Sequence, residues 1–278
     1  MKVISKISEL RTCIADYKRN GQSIGFVPTM GNLHKGHVSL VERSKKENNI
    51  TTASIFVNPT QFGPNEDFNK YPRTLENDLK KLTAAGCDLV FTPDVNEMYP
   101  DGLNNIFVSE NKKSTVLCGK FRPGHFSGVL TVVAKLLGLL EPDKSYFGLK
   151  DYQQYILIKD MAAILDLGTE IIGCPIIRES DGLAMSSRNN YLSGEQKSRA
   201  LMLSKALLNM KKHFDSGNKN VTQLKSHGLN LLSQNVDVQY VEVVDPNYLT
   251  PVKEARHGDV ITAACFCDNI RLIDNIIL

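Results

Sequence analysis

The sequence predicts an α/β chain: a Rossmann-like doubly wound parallel sheet followed by a smaller C-terminal α+β domain. Three observations carry this reading. Short β-branched runs alternate with amphipathic helical stretches through the first half and beyond, the pattern of a parallel sheet with helices on both faces. The run Ile24-Gly25-Phe26-Val27 ends in a glycine-bearing turn that opens a helix. After Ile177 the alternation stops, and three long β-like runs close the chain. We place a boundary near residue 176, separating residues 1–176 from residues 177–278.

Taken in order, Ile7, Leu10, Ile14 and Tyr17 recur at helical spacing, and Gly21 closes that helix. Ile24 to Val27 is the first core strand. Val38 to Asn48 reads as a helix, and Thr51 to Val57 as a β-branched strand stopped by Asn58-Pro59. Pro72 and Thr74 start a helix with Leu75, Leu79 and Leu82 on one face, ended by Gly86. Leu89-Val90-Phe91 is a short buried strand. From Met98 to Gly124 the pattern loosens to loop, with a strand expected at Ile106-Phe107-Val108. Gly128 to Leu140 reads as a buried helix and Ser145-Tyr146-Phe147 as a strand. Asp151 begins a helix running to about Leu167. Thr169 to Gly173 is the last strand of this half, terminated by Pro175.

Arg178 to Asn190 is polar and irregular. Ser193 and Gln196 have capping-box spacing and open a long amphipathic helix carrying Leu201, Leu208 and Phe214, which Gly217 stops. A further helix covers about Val221 to Ser233. Val236 to Val244, Val260 to Cys267 and Ile270 to Leu278 are β-like. The tight turn Cys267-Asp268-Asn269 predicts antiparallel pairing.

Composition narrows the function classes. The chain has 278 residues, enough for one large domain or two modest ones. Hydrophobic residues at 42% and charged residues at 23% describe an ordinary globular protein. A net charge of +3 is too small to argue for nucleic acid or an acidic membrane, so neither is expected as a partner. The start, Met1 to Lys6, lacks the apolar core of a signal peptide. The most apolar run, Val129 to Leu140, is broken by Lys135 and too short to cross a bilayer. The cysteines Cys13, Cys87, Cys118, Cys174, Cys265 and Cys267 show no Cys-x-x-Cys spacing. They read as core or surface thiols in a reducing, cytoplasmic compartment, and no zinc site is expected.

The chemistry centres on Pro28-Thr29-Met30-Gly31-Asn32-Leu33-His34-Lys35-Gly36-His37. A helix opening after a strand presents unpaired N–H groups and the positive end of its dipole, a good place for an anion. His34 and His37, three residues apart in a first turn, can both point at one polyphosphate. Gly36 has no Cβ and lets a base or phosphate approach the backbone. The plainer alternatives are two solvated histidines on a surface loop, or half a metal site.

Four more places draw notice, because a doubly wound sheet binds ligands at its strand ends. Asn58 and Gln61 follow the second strand; they suit a polar ligand, or simply turn chemistry. Arg122 and His125 flank Pro123-Gly124 and either grip an anion or belong to a solvated turn. In Gly148-Leu149-Lys150-Asp151, a lysine at a helix start opposes the dipole unless an anionic ligand offsets it; Asp151 reads also as an N-cap, and Gln154 lies one turn further on. Met185-Ser186-Ser187-Arg188 offers two hydroxyls and a guanidinium for phosphate oxygens, or is a surface linker.

His34-Lys35-Gly36-His37 resembles the His-x-Gly-His signature of the adenylyl-transferring superfamily, which includes nucleotidylyltransferases and class I aminoacyl-tRNA synthetases. Five strings between residues 26 and 191, in order, resemble one family within it, the pantothenate synthetases (pantoate–beta-alanine ligases). They are the string from Val27 to His37, Phe56-Val57-Asn58-Pro59-x-Gln61-Phe62, Arg122-Pro123-Gly124-His125-Phe126, Gly148-x-Lys150-Asp151-x-x-Gln154 and Asp181 to Asn189. Arg271 to Asn275 resembles the family's ending. Leu149 departs from the pattern, where Glu or Gln is usual. A nucleotidylyltransferase acting on a phosphate-bearing substrate would share His34 and His37 but would not require Gln61 and Gln154.

The resemblance implies ATP-dependent condensation of (R)-pantoate with beta-alanine through a pantoyl adenylate, releasing AMP and pyrophosphate. It implies His37, His34 and Lys150 as catalytic groups. ATP contacts would come from residues 28–37, Gly148, Leu149, Lys150, Asp151, Ile177 (through its backbone), Met185, Ser186, Ser187 and Arg188. Gln61, Gln154, Asn58, Arg122 and His125 would face pantoate or beta-alanine. Mg²⁺ would accompany ATP, with Asp78 as a candidate contributor. A homodimer through the N-terminal domain is also implied.

Overall fold

In a computed structural model describing residues 1–64, 66–103 and 106–278, the chain divides into two compact units. The first comprises residues 1–115, 119–149 and 154–175. The second comprises 176–278 together with the short pieces 116–118 and 150–153. A single cut in the sequence cannot express those two pieces.

The first unit is built from β1 (Lys2–Ile4), α1 (Ile7–Arg19), β2 (Ile24–Thr29), α2 (Lys35–Glu47), β3 (Ile50–Ile55), α3 (Leu75–Ala84) and β4 (Leu89–Phe91). The short turns α4 (Val95–Met98) and α5 (Cys118–Phe121) follow. Then come α6 (His125–Leu140), β5 (Lys144–Gly148), α7 (Tyr152–Ile164) and β6 (Glu170–Cys174); the first residue of α5 and the first two of α7 count with the second unit. The sheet order is β1-β4-β3-β2-β5-β6, and every pairing is parallel. From β2 the chain runs outward through β3 and β4, then returns to set β5 on β2's other side. Right-handed crossovers running in opposite directions cover opposite faces. Accordingly α2 packs with α3, and α1 with α6. Val27, Ala53 and Val90 lie in register across β2, β3 and β4 and share one buried core with Leu40, Val41 and Leu82. The strand order reverses between β2 and β5, and ligands of open α/β sheets bind at such a point.

The element boundaries differ from expectation where polar residues do helical work. Helix α2 starts at Lys35 rather than Val38, because His34 caps it. Helix α6 starts at His125 rather than Gly128. The expected strand at Ile106–Val108 is absent: Ile106 is largely exposed, and Val108 N–H donates to the Thr131 hydroxyl instead of a ladder. Asp151 ends a 3₁₀ turn, and the helix follows it. Strand β1 escaped the sequence reading; it has three residues and only Ile4 is buried, so β4 supplies its order.

The second unit carries α8 (Gly194–Asp215), α9 (Val221–Leu232), β7 (Asp237–Val244), β8 (Val260–Cys267) and β9 (Ile270–Ile277), the last three forming an antiparallel sheet in the order 7-8-9. The Ser193–Gln196 capping box is present in full. The buried stripe of α8 is Leu203, Leu207, Met210 and Phe214, spaced for a 3.6-residue period; Leu208 is half exposed and Leu201 only partly buried. All six cysteines are free. Among the described residues, no helix is long and apolar enough to cross a membrane.

Candidate active site

The turn after β2 is organised by its own backbone. His34 is the N-cap of α2, and its Nδ1 accepts from Gly36 N–H at 3.1 Å. His37 reaches back, its Nδ1 accepting from His34 N–H at 3.3 Å. This is a capping box made of two imidazoles, whose ring centroids are 4.1 Å apart. With each Nδ1 accepting, a neutral ring carries its proton on Nε2. The strand-turn-helix therefore holds two imidazoles, tilted 38° to each other, beside the positive end of a helix dipole. Gly36 serves this packing: a Cβ there would sit 2.8 Å from His34 Cε1. Its bare face admits the histidine ring, where the sequence suggested a ligand's approach.

Asp78 locks the approach to that cap. It is fully buried, and its two oxygens accept from Asn32 N–H and Leu33 N–H, both at 2.8 Å. Thr74 Oγ1 donates to it as well, and Lys81 Nζ donates to Leu33 O. Gly31 and Asn32 both have positive φ, at 84° and 49°, and the clamp holds them there. Asp78 was considered above as a metal contributor; its oxygens instead bind backbone. Among the described residues, no three His, Cys, Asp or Glu side chains converge as a metal set. Thr29 Oγ1 donates to Ser54 O and accepts from Gly31 N–H, tying the turn to β3.

After β3, Asn58 is a hub. It is buried; its Oδ1 accepts from Tyr99 OH at 2.8 Å and from the Thr60 hydroxyl at 3.0 Å. Its Nδ2 donates to Gly128 O and to Gln61 Oε1. Gln61 Nε2 lies 2.9 Å from Met30 Sδ, which joins this turn to the one after β2. Helix α6 presses on the same turn: a Cβ on Gly128 would fall 2.3 Å from Thr60 O. Burial raises the Tyr99 hydroxyl's pKa. Arg122 and His125 are adjacent to this turn too. Arg122 forms a two-pronged pair with Glu66 at 2.6 Å, and His125 Nδ1 lies 2.7 Å from Gln61 O. Burial alone would raise the Glu66 carboxyl, but Arg122 outweighs it and the group ends below its ordinary pKa. Tyr99, Gly128 and Glu66 were not singled out in the sequence, since each acts through a partner distant in the chain.

Gly148 ends β5 and Leu149 opens the 3₁₀ turn after it, both in the first unit. Leu149 is apolar where a polar residue was expected, and its Cδ2 fills the space beside Gly173 of β6. Gln154 is half-buried on α7. Lys150 and Asp151 belong to the second unit. There Lys150 O accepts from Asn275 Nδ2, and the Lys150 ammonium has no ion-pair partner among the described residues. Gln153, next to the residue chosen from the sequence, is the buried amide that holds Cys118 N–H and Val116 O.

The stretch after residue 176 is internally hydrogen-bonded. Met185 N–H donates to Ile177 O, and Arg178 and Ala184 bridge across the loop. Ser186 caps a 3₁₀ turn over Ser187–Tyr191, accepting from Arg188 N–H. Arg178 anchors the loop's base through a bidentate pair with buried Asp274, at 2.7 and 3.0 Å. The loop bearing Ser186, Ser187 and Arg188 is thus hydrogen-bonded both within itself and at its base.

Fold and turn define the class: a Rossmann-like protein with a His-x-Gly-His helix cap at the switch point of a parallel sheet. The sequence matches the Pantoate-beta-alanine ligase family over residues 2–277. It is 48% identical over 279 residues to a pantothenate synthetase of Sulfurihydrogenibium sp. strain YO3AOP1, covering 99% of each chain. The pantothenate synthetase structure from Thermus thermophilus superposes with a TM-score of 0.94 at 43% identity, covering 99% of both chains. A pantoate-beta-alanine ligase structure from Francisella tularensis, complexed with beta-gamma ATP and beta-alanine, gives a TM-score of 0.83 at 36% identity, over 100% of this chain and 97% of that one. The chain belongs to the pantoate–beta-alanine ligase (pantothenate synthetase) family.

Proposed function

We propose that this protein condenses (R)-pantoate with beta-alanine at the expense of ATP, giving pantothenate, AMP and pyrophosphate. The observation that carries the reading is the capping box of His34 and His37 at the start of α2, in which both Nδ1 atoms accept main-chain N–H groups. A carboxylate is a poor acylating agent because oxide would have to leave. One pantoate carboxylate oxygen attacks the α-phosphorus of ATP, and pyrophosphate departs with the electron pair of the broken P–O bond. The beta-alanine amine then attacks the acyl carbon, AMP leaves, and the nitrogen loses its proton.

The first step asks for charge stabilisation more than proton transfer, since negative charge grows on the α-phosphoryl group and the leaving pyrophosphate. His37, with His34, donates to those oxygens; Lys150, Ser186, Ser187 and Arg188 are assigned to phosphate as well. Residues 28–33, Lys35, Gly36, Gly148, Leu149, Asp151, Ile177 and Met185 are assigned to ATP by the family pattern. Gln61 and Gln154 are assigned to the hydroxy acid, with Asn58 holding Gln61. Mg²⁺ would arrive on ATP's phosphates. The described residues offer it no convergent ligand set, and no step is derived through it. The same reading carries a homodimer and a cytoplasmic setting, the former testable by light scattering.

The test is release of pyrophosphate and AMP from ATP with pantoate present and beta-alanine added or withheld. Pantoate-dependent pyrophosphate, with AMP release accelerated by beta-alanine, is expected. Turnover only with a phosphorylated acceptor would move the protein to the nucleotidylyltransferases.

A further inference from the structure

The family resemblance implies that Arg122 and His125 face a substrate. The structure commits them elsewhere. The guanidinium donates from Nε and Nη2 to the two oxygens of Glu66, each at 2.6 Å, a fork that a substrate carboxylate would otherwise occupy. Its Nη1 lies 2.9 Å from His125 Nε2. A guanidinium only donates, so Nε2 accepts and the imidazole proton resides on Nδ1. That Nδ1–H donates to Gln61 O at 2.7 Å. Four residues thus form one directed chain, from carboxylate to guanidinium to imidazole to the main chain of the 3₁₀ turn Pro59–Gln61. Every link has a single allowed donor direction.

We propose that Glu66, Arg122 and His125 are a positioning relay for Gln61, with Glu66 its origin, rather than direct grips on substrate. The inference rests on the reading that Gln61 holds the hydroxy acid. Glu66 neutralises Arg122 and fixes its plane. Arg122 fixes the tautomer of His125, and His125 holds the turn from the α6 side while Asn58 holds it from within. Without Glu66, Arg122 is an uncompensated cation free to turn away, and His125 is free to exchange tautomers.

Relay and direct grip predict opposite results for Glu66→Gln. A direct grip gains when its competing carboxylate is neutralised. A relay loses a charge-assisted bond, on the scale of tenfold or more. We expect the KM for pantoate to rise roughly tenfold while the KM for ATP stays within about twofold, the latter showing that the variant is folded. A pantoate KM that falls or stays unchanged overturns the relay. Adding His125→Gln to Glu66→Gln should cost no more than the larger single change, because the two act in series; additive losses overturn it. A readout independent of turnover is the ¹⁵N spectrum of the His125 ring, assigned by its loss in His125→Gln. Wild type should show the Nδ1–H tautomer and Glu66→Gln a mixture; an unchanged tautomer overturns the relay whatever the substrate. Wild-type protein inert toward pantoate would instead sink the functional reading, leaving the tautomer measurement to decide the relay.

Discussion

At the scale of single residues, backbone N–H groups choose which imidazole nitrogen carries the proton. His34 and His37 each accept a main-chain N–H on Nδ1, which leaves the proton of a neutral ring on Nε2 and fixes each ring before any reaction begins. Replacing His37 by alanine removes one such donor and breaks half of the cap. Pyrophosphate release should fall roughly 10²-fold or more, the usual loss for one preorganised donor; a near-normal rate in a coupled pyrophosphate assay would refute the role. These histidines were legible in the sequence because donor, glycine and cap lie within four consecutive residues. The backbone clamp made by Asp78 was not legible, for the opposite reason. Its partners Asn32 and Leu33 lie 46 and 45 positions away, and a carboxylate alone does not reveal whether it meets a cation or a backbone amide. Glu66 and Tyr99 were missed likewise, with partners 56 and 41 positions distant.

At the scale of elements, α2 joins the candidate site at its first turn to a charged cluster at its last. Glu47 binds Arg43 one turn earlier, Lys144 on β5, and the Tyr146 hydroxyl. The Arg43 hydrogen bond, against a smaller burial cost, brings the Glu47 carboxyl from its ordinary 4.5 down to about 2. A carboxyl held low in the folded state binds its proton more readily once unfolded. Its stabilisation is therefore present above about pH 4.5 and lost as pH falls toward 2. We expect Glu47→Gln to melt lower than wild type at pH 7 and to show a shallower loss of Tm between those two values. Parallel Tm–pH curves for the two proteins would contradict this. The existence and type of the elements could be read from period and breakers; their ends could not, where His34 or Asp151 decides the first turn by hydrogen bonding rather than by hydrophobicity. The α8 stripe shows the same limit, since Leu208 and Leu207 are equally apolar and only the helix phase selects between them.

At the scale of the whole molecule, two units with separate cores make stability a regional quantity. The first rests on the sheet layer around Val27, Ala53 and Val90. The second rests on α8 and α9 against β7, β8 and β9, around Leu203, Leu207, Val243 and Ile261. The change from alternating to antiparallel patterning announced two architectures in the sequence, but the transfer of residues 116–118 and 150–153 to the second was invisible, because it depends on Gln153, Tyr240 and Asn275. Within the second unit, Arg178 joins the base of the serine-rich loop to Asp274 on β9 and also donates to Ser204 and to Gly182 O. Asp274 is 1% exposed, so removing its partner leaves a buried charge unpaired. Arg178→Ala should cost about 3 kcal/mol, near the lower end for a broken buried pair. Hydrogen exchange should locate that loss: amides of β7, β8 and β9 gain exchange while those of β2 and β3 keep their protection. Uniform loss of protection across both sheets would show instead that the chain unfolds as one cooperative body, and the regional account would fall.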